Sequence, residues 1–205
     1  MLNFYRFQSS FPPFFISFIA ILAFIFNDSV IELFIYQRDL IAHGELWRLI
    51  TGHFFHTNQY HLLLNLAALW MLWGLHQQYY HPYCYAFLFI FSAFICSTGL
   101  YFFSPDLIRY VGLSGVLHGV FVWGAIMDIK HQDKTGYLLF LGVWLKIIYE
   151  QIYGANNEVA NLIAANVAVD AHLWGALGGL LFALFFTCKL PKQPKKIVKG
   201  HDKQF

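Results

Sequence analysis

The sequence predicts an all-α polytopic membrane protein, a bundle of six transmembrane helices in one domain. Two observations carry this. First, the 205-residue chain is 59% hydrophobic and 20% aromatic but only 12% charged, against about 25% charged in an average soluble domain. A soluble fold of this length cannot hide so much apolar surface, so its solvent is lipid. Second, the apolar residues fall in six runs, roughly 9–27, 58–76, 83–103, 112–129, 136–153 and 168–188. Each is close to the ~20 residues a helix needs to cross the hydrocarbon core.

Run one is interrupted near its start by Pro12 and Pro13 and ends at Asn27-Asp28. No small-x-small cleavage site follows it, so it reads as a retained anchor. The segment 28–57 is half apolar ("VIELFIY", "LIAHGELWRLI"). It reads as an outer loop lying in the interface, with Tyr36 and Trp47 at headgroup level. Runs two to six follow with short polar connections. The cysteines, Cys84, Cys96 and Cys188, sit in or beside apolar sequence and read as small hydrophobes. The membrane domain ends near residue 190, and 191–205 reads as a basic cytoplasmic tail. The terminal stretch "KLPKQPKKIVKGHDKQF" holds six lysines, each worth about 1 kcal/mol near anionic headgroups. The net charge of +2 gives no reason to invoke nucleic acid.

Charge placement orients the bundle. With the N-terminus inside, nine lysines and arginines fall in cytoplasmic segments (Arg6, Lys130, Lys134 and the six lysines from Lys189 onward) against Arg38, Arg48 and Arg109 outside. The positive-inside rule then places both termini in the cytoplasm. Ser114 and His172 lie at the outer ends of runs four and six.

Ionisable and polar groups inside a span are costly, so each is a functional candidate. "GLSGVLHG" puts Ser114 between Gly112 and Gly115 at a helix start, where the first amides lack partners and the dipole is positive. Such a serine offers a nucleophilic oxygen and an N–H for an oxyanion. Gly115 and Gly119 share one face of run four. Ala171, Gly175 and Gly179 make a matching face on run six. If these faces meet, His172 approaches Ser114 as its general base; each face alone is equally explained by helix packing. His61 and Asn65, four apart on run two, could stabilise the oxyanion together with the Ser114 amide. His53, His56 and His61 also raise a metal site, but no His-Glu-x-x-His and no carboxylate accompanies them. Lys146 and Glu150 can neutralise each other at i and i+4 and read as structural, or as lining a wet cavity.

"WRLITGHFFHTNQYHLLLN", "GLSGVLHG" and "AHLWGALGG", in order between about 45 and 185, resemble the rhomboid intramembrane serine proteases. The resemblance implies a rhomboid-like six-helix bundle around a water-filled cavity open to the outer face. It makes Ser114 the nucleophile and His172 the base. His61, Asn65 and the Ser114 amide become the oxyanion contributors, and His56 a support. Trp47 and Arg48 would be structural. No metal, no cofactor and no third acid are implied. Two departures stand out: His118 where rhomboids usually carry tyrosine, and Gln77 where many carry glutamate. His118 could pack on the His172 ring or touch the serine itself. The short form and "GLSGVLHG" look most like the rhombosortase branch. That branch implies a bacterial inner-membrane protease, open to the periplasm, cutting C-terminal Gly-Gly type anchors of exported proteins. The alternatives are a general rhomboid protease of other single-span substrates, a non-catalytic rhomboid-like client-binding protein, and a histidine-based transporter.

Overall fold

Long helices follow all six apolar runs in the computed structural model, which describes residues 2–187. In chain order the elements are α1 (Leu2–Ile25), α2 (Asn27–Phe34), α3 (Arg38–Ala42), α4 (Arg48–Thr51), α5 (Gln59–His76), α6 (Pro82–Phe103), α7 (Ser114–Lys130), α8 (Thr135–Tyr153), α9 (Asn157–Ile163) and α10 (Val169–Phe185). The all-α expectation gains one small exception. β1 (Tyr36–Gln37) pairs antiparallel with β2 (Arg109–Tyr110), setting Tyr36 opposite Tyr110. The tail 191–205, Cys188 and the tail lysines of the charge count lie outside the described residues.

α7 is the central post, packed by α6, α8 and α10. This explains why length and apolarity single out only some helices. α1 (over Gln8–Ile25) and α6 are each long and apolar enough to cross a membrane, and α8 with α9 is a third candidate if that pair, bent by 88°, is one span. A helix surrounded by protein needs no continuous lipid-facing surface. α7 can therefore hold Ser114, His118 and Asp128 in 17 residues.

α1 runs through both prolines without a break. Pro13 has no N–H to give the Ser9 carbonyl one turn back. That carbonyl accepts the indole N–H of Trp73 on α5 at 3.1 Å instead. The neighbouring Trp70 indole donates to Ser17 Oγ at 3.2 Å. The bond lost within α1 is thus replaced by one that docks α1 on α5.

The segment between α1 and α5 is a folded loop, not a flat interfacial one. Its centre is Arg48, only 2% exposed. The guanidinium donates to Glu45 at 2.7 Å, to the Ile35 carbonyl at 2.8 Å and to the Glu32 carbonyl at 2.9 Å. Trp47 Nε1 donates to the Leu33 carbonyl at 3.1 Å. Tyr36 is fully buried against Tyr110 and Cys96 rather than at headgroup level, because the ladder to β2 draws it under the loop. Trp47 stays half exposed. Cys96 is a free, fully buried thiol, as a small hydrophobe would be. Cys84 is disulfide-bonded, which corrects that reading for it.

Candidate active site

Ser114 is the first residue of α7, and the turn before it is shaped by Gly112. Gly112 has φ +115°, a conformation L side chains rarely adopt, and a Cβ there would lie 2.7 Å from His61 Nε2. Only glycine lets the chain pass this close to the His61 ring while turning into α7. The Tyr110 hydroxyl braces the turn, donating to the Gly112 carbonyl at 2.8 Å.

α10 reaches Ser114 because the two small-residue faces meet at backbone distance. A Cβ on Gly175 would stand 1.8 Å from the Gly115 carbonyl oxygen, and one on Gly179 would stand 1.9 Å from that of Gly119. The start of α10 is also tied to α6. Cys96 Sγ donates to the Ala171 carbonyl at 3.3 Å, and Ser104 Oγ donates to Asp170 at 2.5 Å. His172 is thereby held with Nε2 3.1 Å from Ser114 Oγ.

The neighbours of His172 come from α7 and α8. Its Nδ1 lies 2.9 Å from Glu150 Oε2, and that carboxylate also accepts from Lys146 Nζ at 2.8 Å. The His118 ring stacks on His172 with centroids 4.2 Å apart and planes 21° apart. His118 Nδ1 faces the Ser114 carbonyl at 2.7 Å, and its Nε2 faces Lys146 Nζ at 3.0 Å. These partners assign the protons. A nitrogen facing a carbonyl or carboxylate carries hydrogen, and one facing an ammonium carries a lone pair. His172 Nδ1 faces both Glu150 Oε2 at 2.9 Å and Lys146 Nζ at 3.5 Å; the nearer carboxylate takes its N–H, which turns a lone pair on Nε2 to the serine hydroxyl. Both nitrogens of His118 are occupied elsewhere, so its stacked ring does not compete for the serine.

This arrangement adds to two readings. The resemblance implies no third acid, yet a carboxylate stands at His172 Nδ1. Lys146 and Glu150 do pair with each other, but they also reach His172 and His118. His118, Glu150 and His172 are spaced to hold a metal ion, with one ligand atom each within 4.8 Å. The Lys146 ammonium sits among those same atoms, at 3.0, 2.8 and 3.5 Å.

α5 brings the remaining side chains. Asn58 caps its N-terminus by accepting the His61 amide at 2.9 Å. His61 and Asn65 then project from the first turns toward Gly112, and a Cβ there would lie 3.7 Å from Asn65 Nδ2. Asn65 Nδ2 donates to the His61 carbonyl at 3.1 Å, which leaves its second amide hydrogen uncommitted. His56 is fully buried and packs edge-on to His61 at 5.0 Å, with neither ring nitrogen hydrogen-bonded. His53, outside the long helices, is also fully buried, within 3.0 Å of Ser97 Oγ. Burial pushes the His53 imidazole down to about 4.

Ser114, His172, His61, Asn65, Lys146 and Glu150 all line one cavity of about 640 Å³. Its far wall is α9 and the turn after it. Thr57 Oγ1 donates to the Ile163 carbonyl at 2.6 Å, and Asn58 Nδ2 donates to the Leu162 carbonyl at 2.9 Å. The Thr57 hydroxyl also lies 3.1 Å from His61 Nδ1. The sequence reading missed Thr57 and Tyr110. A hydroxyl just before the His61 turn and a tyrosine two residues before Gly112 were the available signals.

A family model, the Rhomboid domain, matches residues 43–189. The chain is 26% identical over 147 residues to the rhomboid protease GluP of Bacillus subtilis (strain 168), covering 72% of this chain and 27% of that protein. It is 28% identical over 153 residues to YdcA of the same organism, covering 75% and 72%. It is 26% identical over 148 residues to the rhomboid protease GlpG of Photorhabdus laumondii subsp. laumondii, covering 70% and 48%. The chain thus spans about a quarter of GluP and about half of GlpG.

Proposed function

The chain belongs to the rhomboid family, and from that premise we propose that it is an intramembrane serine endopeptidase with Ser114 as nucleophile and His172 as general base. The observation that carries this is the 3.1 Å approach of His172 Nε2 to Ser114 Oγ at the wall of a largely apolar cavity that also holds His61, Asn65, Lys146 and Glu150. As Oγ attacks a scissile carbonyl, its proton passes to His172 Nε2. The tetrahedral oxyanion is received by the Ser114 amide, His61 and Asn65. His172 then protonates the leaving amine, an acyl-enzyme remains, and water resolves it by the same base.

The substrates are membrane-anchored proteins. A helical substrate keeps its backbone hydrogen-bonded internally, so the scissile carbonyl must first unwind. Glycine favours unwinding by about 1 kcal/mol relative to alanine. Together with the rhombosortase-like "GLSGVLHG", this favours a Gly-Gly type site in a C-terminally anchored exported protein. In this reading the six long helices all cross the bacterial inner membrane, both termini are cytoplasmic, and the cavity opens to the periplasm.

The test is labelling of purified protein with a fluorophosphonate probe, with cleavage of C-terminally anchored Gly-Gly substrates run alongside. Wild type is expected to label and cleave, and Ser114→Ala to do neither while staying folded. Cleavage by a clean Ser114→Ala preparation overturns the protease assignment. Equal cleavage of a Leu-substituted anchor removes the sorting-type substrate and leaves a general rhomboid protease.

A further inference from the structure

We propose that Glu150 is a positioning residue that completes a Ser114–His172–Glu150 relay. The proposal rests on the Ser114–His172 reading above. Three observations place Glu150 in it. Its Oε2 is 2.9 Å from His172 Nδ1, on the ring edge away from the serine. The carboxylate is largely sheltered, 13% exposed, whereas its other partner, Lys146, is 47% exposed. The α8 helix is keyed to α7 and α10 by Val143 and Ile147, which pack with Val122 and Ala176. That contact fixes the face of α8 carrying Lys146 and Glu150 against His172.

The chemistry follows from the proton positions. An imidazole has one N–H in its neutral form. Accepting that N–H at Nδ1 makes Nε2 the basic nitrogen and points it at Ser114 Oγ. When Oγ attacks, its proton moves to Nε2, and the imidazolium then has N–H bonds on both sides. Glu150 remains ionised throughout, and its negative charge lies against the positive ring formed in the transition state. Lys146 Nζ donates to the same oxygen, Glu150 Oε2, at 2.8 Å. Its lesser exposure and its second bond to His172 separate Glu150 from an ordinary surface ion pair, which would satisfy Lys146 without turning to the imidazole.

The rival is that Glu150 serves only to neutralise Lys146, and a set of variants of the full-length protein separates the two. Glu150→Gln and the double variant Lys146→Met/Glu150→Gln are measured for the rate of fluorophosphonate labelling at Ser114 and for kcat and KM on an anchored substrate. In Ser–His–Asp proteases, replacing the acid by its amide costs about 10⁴-fold in kcat. Here the carboxylate is shared with Lys146, so the expected loss is about 10²–10³-fold in labelling rate and kcat, with KM little changed. The double variant carries no unpaired charge, so it keeps its fold even if Glu150→Gln alone does not, and it is expected to remain as slow. Glu150→Asp is expected to recover part of the rate. Wild-type labelling by Glu150→Gln, or recovery to wild-type rate in the double variant, overturns the proposal while leaving the Ser114–His172 pair intact. If wild-type protein neither labels nor cleaves, the underlying protease reading is what has failed.

Discussion

Gly175→Ala offers the sharpest test of how the proposed nucleophile and base are brought together. The added Cβ would sit 1.8 Å from the Gly115 carbonyl oxygen, where real Cβ atoms keep at least 3.0 Å, so α10 must retreat from α7 by about 1.2 Å. Neither side of the contact is a flexible side chain that could swing away. His172 is one turn from Gly175, and the same retreat stretches its 3.1 Å approach to Ser114 toward about 4.3 Å, beyond hydrogen-bond range. A misplacement of about 1 Å can cost about 10²-fold in rate, or about 2.7 kcal/mol of barrier. Overpacking should also lower stability by about 1–3 kcal/mol. The assay is the labelling rate at Ser114 with thermal unfolding in the same detergent. Gly142→Ala on α8 is the control: nothing lies within 4 Å of its Cβ position. That substitution should leave labelling unchanged and gain up to about 1 kcal/mol from helix propensity. Wild-type labelling by Gly175→Ala would refute the idea that this backbone seam sets the distance between the pair.

Three further outcomes are expected. Asn65→Ala should lower kcat by about 10²–10³-fold with a smaller change in KM, since an oxyanion donor acts on the transition state; an unchanged kcat would make Asn65 a packing residue. Trp73→Phe should cost about 0.5–1.5 kcal/mol in thermal unfolding, because it removes the indole bond that docks α5 on the Ser9 carbonyl of α1; no loss would mean that this bond does not hold the two helices together. His53, pushed down to about 4 in the fold, is buried neutral. Between its ordinary value near 6.5 and about 4 the unfolded chain binds more protons, so its contribution is full above that window and is lost as pH falls through it. His53→Gln should therefore flatten part of the stability loss between pH 7 and pH 4, and an identical slope in wild type and variant would contradict the assignment.

The long helices were legible because apolar runs of spanning length leave few alternatives. Ser114 and His172 were legible because a serine between glycines at a helix start and a histidine on a small-residue face are both unusual inside apolar sequence. Glu150 was not. Its pairing with Lys146 at i and i+4 is a complete local explanation, and only the way α8 crosses α7 and α10 turns that pair toward His172. Local reasoning also misplaced Tyr36, whose burial depends on a ladder to residues more than seventy positions away. The interruption read at Pro12 and Pro13 has a like explanation: the indole that serves the Ser9 carbonyl opposite Pro13 lies on a different helix. In each case the deciding partner is remote in sequence, where neither periodicity nor spacing carries a signal.

The attachment of α9 to α5 has a consequence for turnover. Two side-chain bonds, from Thr57 to the Ile163 carbonyl and from Asn58 to the Leu162 carbonyl, fasten the outer wall of the cavity. At about 1 kcal/mol net each, they favour the fastened arrangement by only about thirtyfold, so thermal motion releases it without help from a ligand. Asn58 also caps α5, and the Thr57 hydroxyl touches the His61 ring. Each release therefore loosens the latch at the foot of the helix that carries His61 and Asn65, and each return sets it again. In the proposed protease, opening of this wall and placement of His61 and Asn65 would be two readings of one mechanical event.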